Sequence, residues 1–397
     1  MVRPPQSGVI PTELERVFAQ PAVLLFFLPL LFHLLQVVRW IWGFVGALSI
    51  TEPGVEDNLT PQLTVVLPVR NEATTLPNLL GDIAIGSLMP AEVIIVDDAS
   101  EDDTLRVLEE LDSVAFPLRI IPNPGSGKKT GLSAGIKAAS TPWIVQVDAD
   151  VRVGPGFIHA VQQHIEKEGA MLDMMLLPLR LAHQHAGGVH RIMDLLQALD
   201  FSAMQGWAIA AVRRGRPAMA SGGAWAWRRS AFPHDGLRPE RASGDDVFSL
   251  AAIIEQGNGH RVGWCGHPDA MASAAPMPDL GSLLDQRIRW GAKSASYPAT
   301  LSEARRVATV IATMHIAGVA LPFFSLTAAV TFWALKAWID MTYTHRVGQA
   351  YGLFIGSNAM KKWGALLLLA LTHPPFIITT LLLMPFRRVR WKGRTAT

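Results

Sequence analysis

The sequence predicts an α/β domain built on a largely parallel sheet and flanked by transmembrane helices. Three observations lead there. Short apolar runs alternate with helical stretches between residues 63 and 147, the rhythm of βαβ units whose sheet is covered on both faces. Acidic and basic clusters follow those runs, at the carboxyl ends of strands where open α/β sheets bind ligands. Long apolar segments lie towards both ends of the chain, each near the ~20 residues that a span requires.

The 397 residues are enough for one sizeable domain with additional elements. A net charge of +2 gives no global basic field, so no nucleic-acid partner is expected. Hydrophobic residues at 50% against 17% charged lean towards a membrane protein. Cys265 is the single cysteine, which excludes an intramolecular disulfide and a cysteine-rich metal site.

Taken in order, residues 1–20 form a Pro-containing extension of mixed charge, without the basic region of a cleaved signal peptide. Residues 21–48 read as a transmembrane helix interrupted by His33, Gln36 and Arg39, with Arg39, Trp40 and Trp42 as anchors at one interface. A polar linker (51–61) leads into a domain over 60–300. Its expected elements are a strand from Leu63, a helix over 75–87, a strand at Glu92–Val96, a helix at Asp103–Asp112 and a strand at Leu118–Ile121. A Gly- and Lys-rich loop then opens a helix, and the strand Trp143–Val147 runs out into Asp148-Ala149-Asp150. Further on come a strand near Met174–Leu179, a helix over Val189–Ala211, a Gly-rich turn at 221–225, a helix opened by Gly244-Asp245-Asp246, a strand at Arg261–Cys265 and a helix bearing residues 285–290.

Residues 307–386 form the C-terminal membrane region, read as two to three helices. The stretch 307–339 is too long for one untilted span and suits a pair kinked around Pro322, with Lys336 and Asp340 on one helix face. The last apolar segment, Trp363–Phe386, is interrupted by His373-Pro374-Pro375. Residues 387–397 form a basic tail with five cations and no acid between Arg387 and Arg394. By the positive-inside rule the tail is cytoplasmic, and an even number of C-terminal crossings keeps the domain on the same side.

The clusters point to a joint ligand. Asp148 and Asp150, at i and i+2 of an extended chain, point the same way and suit one hard cation, magnesium or manganese. Alone the pair would read as a solvated strand end; the other strand-end clusters give it meaning. Asp97 and Asp98 suit a base or ribose, and Lys128 and Lys129 at a helix start suit phosphate. A nucleoside diphosphate with its metal satisfies all three. Residues 124–130 imitate a P-loop but fail its spacing, since the first Gly falls on Pro122 and Lys129 replaces the hydroxyl residue. Asp245 and Asp246 are ordinary favourable charges at a helix start or, in such a site, hold the base that deprotonates an acceptor hydroxyl. Arg289 and Trp290 either support a leaving diphosphate and an acceptor or form a helix face at the membrane surface.

In this order the motifs over 60–300 resemble membrane-bound family 2 glycosyltransferases of the GT-A (Rossmann-like) fold. The resemblance implies donor contacts from the opening turn Pro68-Val69-Arg70-Asn71-Glu72, through Pro68, Arg70 and Glu72, with Arg70 where Tyr is commoner. It implies nucleoside contacts from Asp97 and above all Asp98, and diphosphate contacts from Lys128 and Lys129. Asp148 and Asp150 match the Asp-x-Asp metal motif, in which the last Asp usually reaches the metal. Asp246 matches the catalytic base, with the role of Asp245 left open by a departure from the family pattern. Gln286, Arg289 and Trp290 complete a Gln-x-x-Arg-Trp motif, and Ser221, Gly222 and Gly223 together with Trp290 fall on the acceptor side.

The family implies inverting transfer from a nucleotide sugar, most commonly a UDP-sugar, with divalent metal, by a multi-pass enzyme of the cell membrane. A lipid acceptor fits the few spans better than a processive polysaccharide synthase. A non-catalytic sensor or transporter would tolerate loss of Asp246.

Overall fold

The computed structural model describes residues 21–47, 60–110, 115–182, 188–238, 244–257, 261–294, 296–387, 390–391 and 394–395. The N-terminal extension, most of the linker, Ser243 and most of the basic tail lie outside the described residues.

An N-terminal helical turn α1 (Pro21–Leu25) precedes α2 (Leu28–Phe44). The domain opens with β1 (Leu63–Val69), α3 (Leu76–Ala84), β2 (Glu92–Asp97), α4 (Thr104–Glu109), β3 (Leu118–Pro122), α5 (Lys128–Ala138) and β4 (Trp143–Val147). Strands β1, β2 and β4 are buried along nearly their whole length. That is why their sequences read as unbroken runs of Val, Ile and Leu rather than alternating ones. After α6 (Phe157–Glu168) come β5 (Met174–Leu176), β6 (Leu179–Leu181), α7 (Gly188–Arg213), β7 (Ala224–Arg228), α8 (Asp245–Glu255), β8 (Val262–Trp264), β9 (Ala272–Ala274) and α9 (Leu280–Ser294).

The main sheet has the order β3-β2-β1-β4-β7-β5-β8. All its pairings are parallel except those of β7, which lies antiparallel between β4 and β5. The expected single strand over 174–179 is in fact two. Pro178 has no N–H to continue the ladder, and the chain leaves the main sheet there, β6 pairing instead with β9. A Gly-rich turn at 221–225 was expected; the chain there enters β7, whose Ala-Trp-Ala-Trp run is buried on both faces. Because β7 runs backwards, its start lies beside the end of β4, and Asp148 N donates to the Gly223 carbonyl at 3.0 Å.

Apolar layers cover both faces of the sheet. The layer holding Val66, Ile94, Ile144, Trp225 and Trp227 continues without a break into α2 and the C-terminal helices. These are α10 (Ser302–Ala320), α11 (Leu326–Ala350) and α12 (Ala359–Leu383). Helix α2 runs so close to α7 that a Cβ on Gly43 would meet Ala210 at 2.9 Å.

A short 3₁₀ turn containing Pro322 separates α10 from α11, as the kink expectation has it. Pro374 and Pro375, by contrast, lie inside α12 and do not end it. In an apolar environment neighbouring helices can compensate the hydrogen bonds that Pro removes.

Among the described residues three helical segments are long and apolar enough to cross a membrane: Val23–Phe44, Ala299–Phe323 and Ala359–Leu383. Large apolar side chains on them, including Phe32, Phe323 and Leu371, are exposed. Uncovered apolar area of this kind fits a lipid surface. Of the two tryptophans expected as interfacial anchors, Trp42 is 81% exposed, whereas Trp40 is buried against Trp207 and Tyr343. Trp40 therefore joins helix to domain. The expected Lys336–Asp340 pair forms at 2.5 Å, and His33 of α2 adds a second contact to Asp340 at 2.7 Å.

Candidate active site

The parallel strands β1, β2 and β4 bring their carboxyl ends to one edge, and the start of β7 joins them there. At that edge Lys128 is central. Gly127, with φ 92°, turns the chain into α5 in a conformation that glycine adopts without cost, and Lys128 is the first residue of the helix. Its ammonium lies 2.6 Å from Asp148 Oδ1 and 2.7 Å from Asp245 Oδ2, and donates to the Gly222 carbonyl at 3.4 Å. One lysine thus links β4, the start of β7 and the start of α8.

Asp246 sits beside this bridge. A Cβ on Gly222 would lie 3.2 Å from Asp246 Oδ2, so the bare Gly222 backbone and the carboxylate face each other closely. Val247 N donates to Asp246 Oδ1 at 2.7 Å. Gly244, at φ 90°, sets up the start of α8, where an added Cβ would strike Phe248 at 2.9 Å.

Burial and the neighbouring Asp245 charge push the Asp246 carboxyl above the usual carboxylate range, with Lys293 opposing them. Asp148 is likewise pushed up by burial, against the pull of Lys128. Asp245 is held low, Lys128 and Lys293 outweighing its burial. Burial alone would lower Lys128; the two carboxylates override it and hold the ammonium fully charged. Arg289 lies in the combined field of Asp246, Asp245 and Asp148, and burial lowers its pKa despite them.

Other expected residues take different places. Asp98 is buried, and its Oδ1 accepts from Asn123 Nδ2 and Gly127 N, both at 2.8 Å. It anchors the loop into α5 at the carboxyl end of β2. Asp97 is half-buried and accepts weakly from Ser100 N at 3.3 Å. Lys129 is buried; its ammonium donates to the Arg238 carbonyl at 2.9 Å and lies over the Phe248 ring. Of the two lysines expected to face a diphosphate, Lys128 is the one set among the carboxylates.

Pro68 lies within β1, and the turn after it is stitched to the turn after β2. Arg70 donates to the Asp98 carbonyl and pairs with Glu101, while Glu101 N donates to Asn71. Glu72 is buried and accepts from the Thr75 hydroxyl. Asp150 is exposed. Ser221 lies half-buried at the head of the turn that presents Gly222 and Gly223. On α9, Gln286 and Trp290 are half-buried, with the Arg287 guanidinium stacked over Trp290 and Phe201 beyond it.

Five residues at the edge escaped the sequence. Gln146 donates to Asp148 at 2.9 Å, and Asn123 supports Asp98. Lys293 and Tyr297 both feel Asp246, which together with burial raises the Tyr297 phenol. Asp200 pairs with Arg287. Only Lys293 carried a signal, since it lies four residues after Arg289 on one helix face.

Among the described residues no group of three or more His, Cys, Asp or Glu is poised around a metal position. The ammonium lodged between Asp148 and Asp245 nevertheless demonstrates that these oxygens accommodate positive charge, and hard oxygen donors suit magnesium or manganese.

The profile of the Glycosyl transferase family 2 matches residues 64–232. An uncharacterized glycosyltransferase of Mycobacterium tuberculosis is 30% identical over 121 residues, 30% of this chain and 51% of its own. The undecaprenyl-phosphate 4-deoxy-4-formamido-L-arabinose transferase of Proteus mirabilis is 33% identical over 100 residues, 24% of this chain and 30% of its own. The chain thus spans about half or less of the curated relatives it matches. Among solved structures, a mannosyltransferase of Pyrobaculum calidifontis in complex with GDP-Man and Mn2+ has a TM-score of 0.51 at 17% identity, covering 92% of this chain and 97% of that one.

Proposed function

We propose that this chain, whose residues 64–232 match the Glycosyl transferase family 2 model, transfers a sugar from a nucleotide-diphosphate sugar to the hydroxyl or phosphate oxygen of a lipid at the membrane surface. The observation that carries this reading is the joint cluster at the sheet edge, where Lys128 bridges Asp148 and Asp245 and Asp246 lies against Gly222. A base raised above its ordinary pKa, a charged lysine for diphosphate and carboxylates for a cation meet there within one site.

Asp246 takes the proton of the acceptor, whose oxygen attacks the anomeric carbon as the bond to the diphosphate breaks; the electron pair leaves with the diphosphate. For a phosphate acceptor, already ionised, Asp246 orients rather than deprotonates. Lys128 and Arg289 offset the charge growing on the leaving group, the usual electrostatic share of such catalysis. Asp148 and Asp150 would hold the divalent metal, which when bound neutralises diphosphate charge. The bare Gly222 backbone lies against Asp246 on the side proposed for the acceptor.

The lipid acceptor is supported by the join between α9 and the apolar helix α12. Arg387 pairs with Asp285 at 2.6 Å, and a Cβ on Gly291 would strike Met384 at 2.6 Å. Two curated relatives add support: the undecaprenyl-phosphate transferase of Proteus mirabilis and a 4,4'-diaponeurosporenoate glycosyltransferase of Staphylococcus haemolyticus. A UDP-sugar donor and a cytoplasmic catalytic domain complete the proposal, the latter resting on the basic C-terminal tail.

The test is radiolabel transfer from UDP- and GDP-sugars into the lipid extract of membranes containing the protein, with Asp246→Asn and Asp150→Ala alongside, with and without divalent metal. Label in extractable lipid, lost in both variants and without metal, is the expected result. Label in high-mass insoluble material would instead make it a polysaccharide synthase. Donor binding without any transfer, unchanged by Asp246→Asn, would overturn the enzymatic reading.

A further inference from the structure

We propose that Lys128 is the resident cation of the site, and that a divalent metal enters only together with a nucleoside diphosphate that draws Lys128 off the carboxylates. The proposal rests on the donor-site reading above.

Three observations carry it. The ammonium is inserted between carboxylates of two different elements, at 2.6 Å from Asp148 and 2.7 Å from Asp245, so it occupies ground that a metal bound to Asp148 would share. The side chain is mostly buried, 12% exposed, so water screens little of the repulsion between it and an incoming divalent ion. Lys128 offsets charge on both Asp148 and Asp245, in a cluster where Lys293 acts on Asp245 and Asp246 and Arg289 lies in the field of Asp148, Asp245 and Asp246.

Lysine suits such an exchange. Its ammonium is a point charge on a flexible four-carbon stem, and Lys128 starts an 11-residue helix whose first backbone N–H groups favour phosphate. A diphosphate arriving there offers new anionic partners within reach of the same side chain. As Lys128 turns to it, Asp148 becomes available to the metal. Metal and nucleotide then each tighten the other's binding by the same factor, as linkage requires. The consequence is a site that stays closed to free divalent ions and assembles only on donor.

The experiment titrates Mn2+ into the full-length protein in detergent, read by the Mn2+ electron paramagnetic resonance signal, with no nucleotide, with UDP and with GDP. Wild type should bind Mn2+ weakly alone and about tenfold or more tightly with whichever nucleotide it accepts. Lys128→Gln should bind Mn2+ alone about tenfold more tightly than wild type, with most of the nucleotide dependence gone. Lys128→Arg, which keeps the charge, should exclude free Mn2+ as wild type does, and thermal melts of both variants check folding.

Equal Mn2+ affinity of wild type and Lys128→Gln without nucleotide would overturn the proposal. Failure of wild type to bind either UDP or GDP, with or without Mn2+, is a different result and removes the donor-site reading itself.

Discussion

Asp200 on α7 accepts from Arg287 on α9 at 2.5 Å, and the imidazole of His373 on α12 approaches the same carboxylate at 3.4 Å. The domain, the Gln-x-x-Arg-Trp helix and a candidate membrane span therefore meet at one acid. Arg287 also stacks over Trp290, two residues from Arg289. Asp200 thus fixes the helix that presents Arg289 to the acidic cluster.

Asp200→Asn is expected to lower transfer about tenfold through kcat with a small change in donor KM, since the donor's own contacts stay intact. Arg287→Gln should do the same. The double variant should fall little further than either single one, because both remove one shared interaction. Additive losses in steady-state kinetics would show that the two residues act separately.

The same pair predicts a pH dependence of stability. Arg287 and His373 outweigh the burial of Asp200 and hold its carboxyl at about 2. A depressed acid stabilises the fold fully above its unfolded pKa of about 3.9, and the contribution is lost as pH falls towards 2. A shift of this size is on the order of 2 kcal/mol. Denaturant unfolding at pH 6 and pH 3 should show a smaller loss on acidification in Asp200→Asn than in wild type.

Asp246 shifts in the opposite direction, so its effect is on rate. The proposed mechanism needs the carboxylate, so the raised pKa predicts that activity falls with decreasing pH at a value above the ordinary ~3.9. Lys293→Met removes the charge that opposes the rise and should move the acid limb of the kcat/KM profile further up. Asp246→Asn should reduce transfer about 10²- to 10⁴-fold while donor binding persists. An acid limb that stays put in Lys293→Met would separate Lys293 from the base.

The sheet and the chemistry were legible in the sequence to different depths. Strands β1, β2 and β4 could be read because burial on both faces demands unbroken apolar runs, and the acids at their ends mark the candidate site. β7 could not: a five-residue Ala-Trp run after two glycines looks like a turn, and only pairing with β4, some 80 residues away, makes it a central strand. Local pattern also gave no hint that Lys128 and Lys129 have different neighbours. They are adjacent in sequence, yet the first turn of α5 sends one to Asp148 and the other to Phe248. The partners of Asp98 were hidden for the same reason, Asn123 and Gly127 lying in a loop 25 residues on or more. Asp200 gave no signal, because a lone acid in a long helix acquires meaning only from what packs against it.

The last prediction concerns the helical bundle. Lys336, 2% exposed, pairs with Asp340 one turn on along α11, and His33 of α2 contacts the same carboxylate, so Asp340 ties α11 to α2. Breaking a buried pair from one side leaves an uncompensated charge, worth about 3–5 kcal/mol, whereas replacing both partners by apolar residues is often near neutral. Asp340→Leu should therefore destabilise the detergent-solubilised protein strongly, and Lys336→Met with Asp340→Leu should recover most of that loss. The recovery will be incomplete if the His33 contact holds α2 in place, and adding His33→Leu should then close the gap. Thermal unfolding of the four proteins measures this directly. A double variant no more stable than Asp340→Leu would mean that the charges themselves, and not merely their pairing, are needed where α2 meets α11.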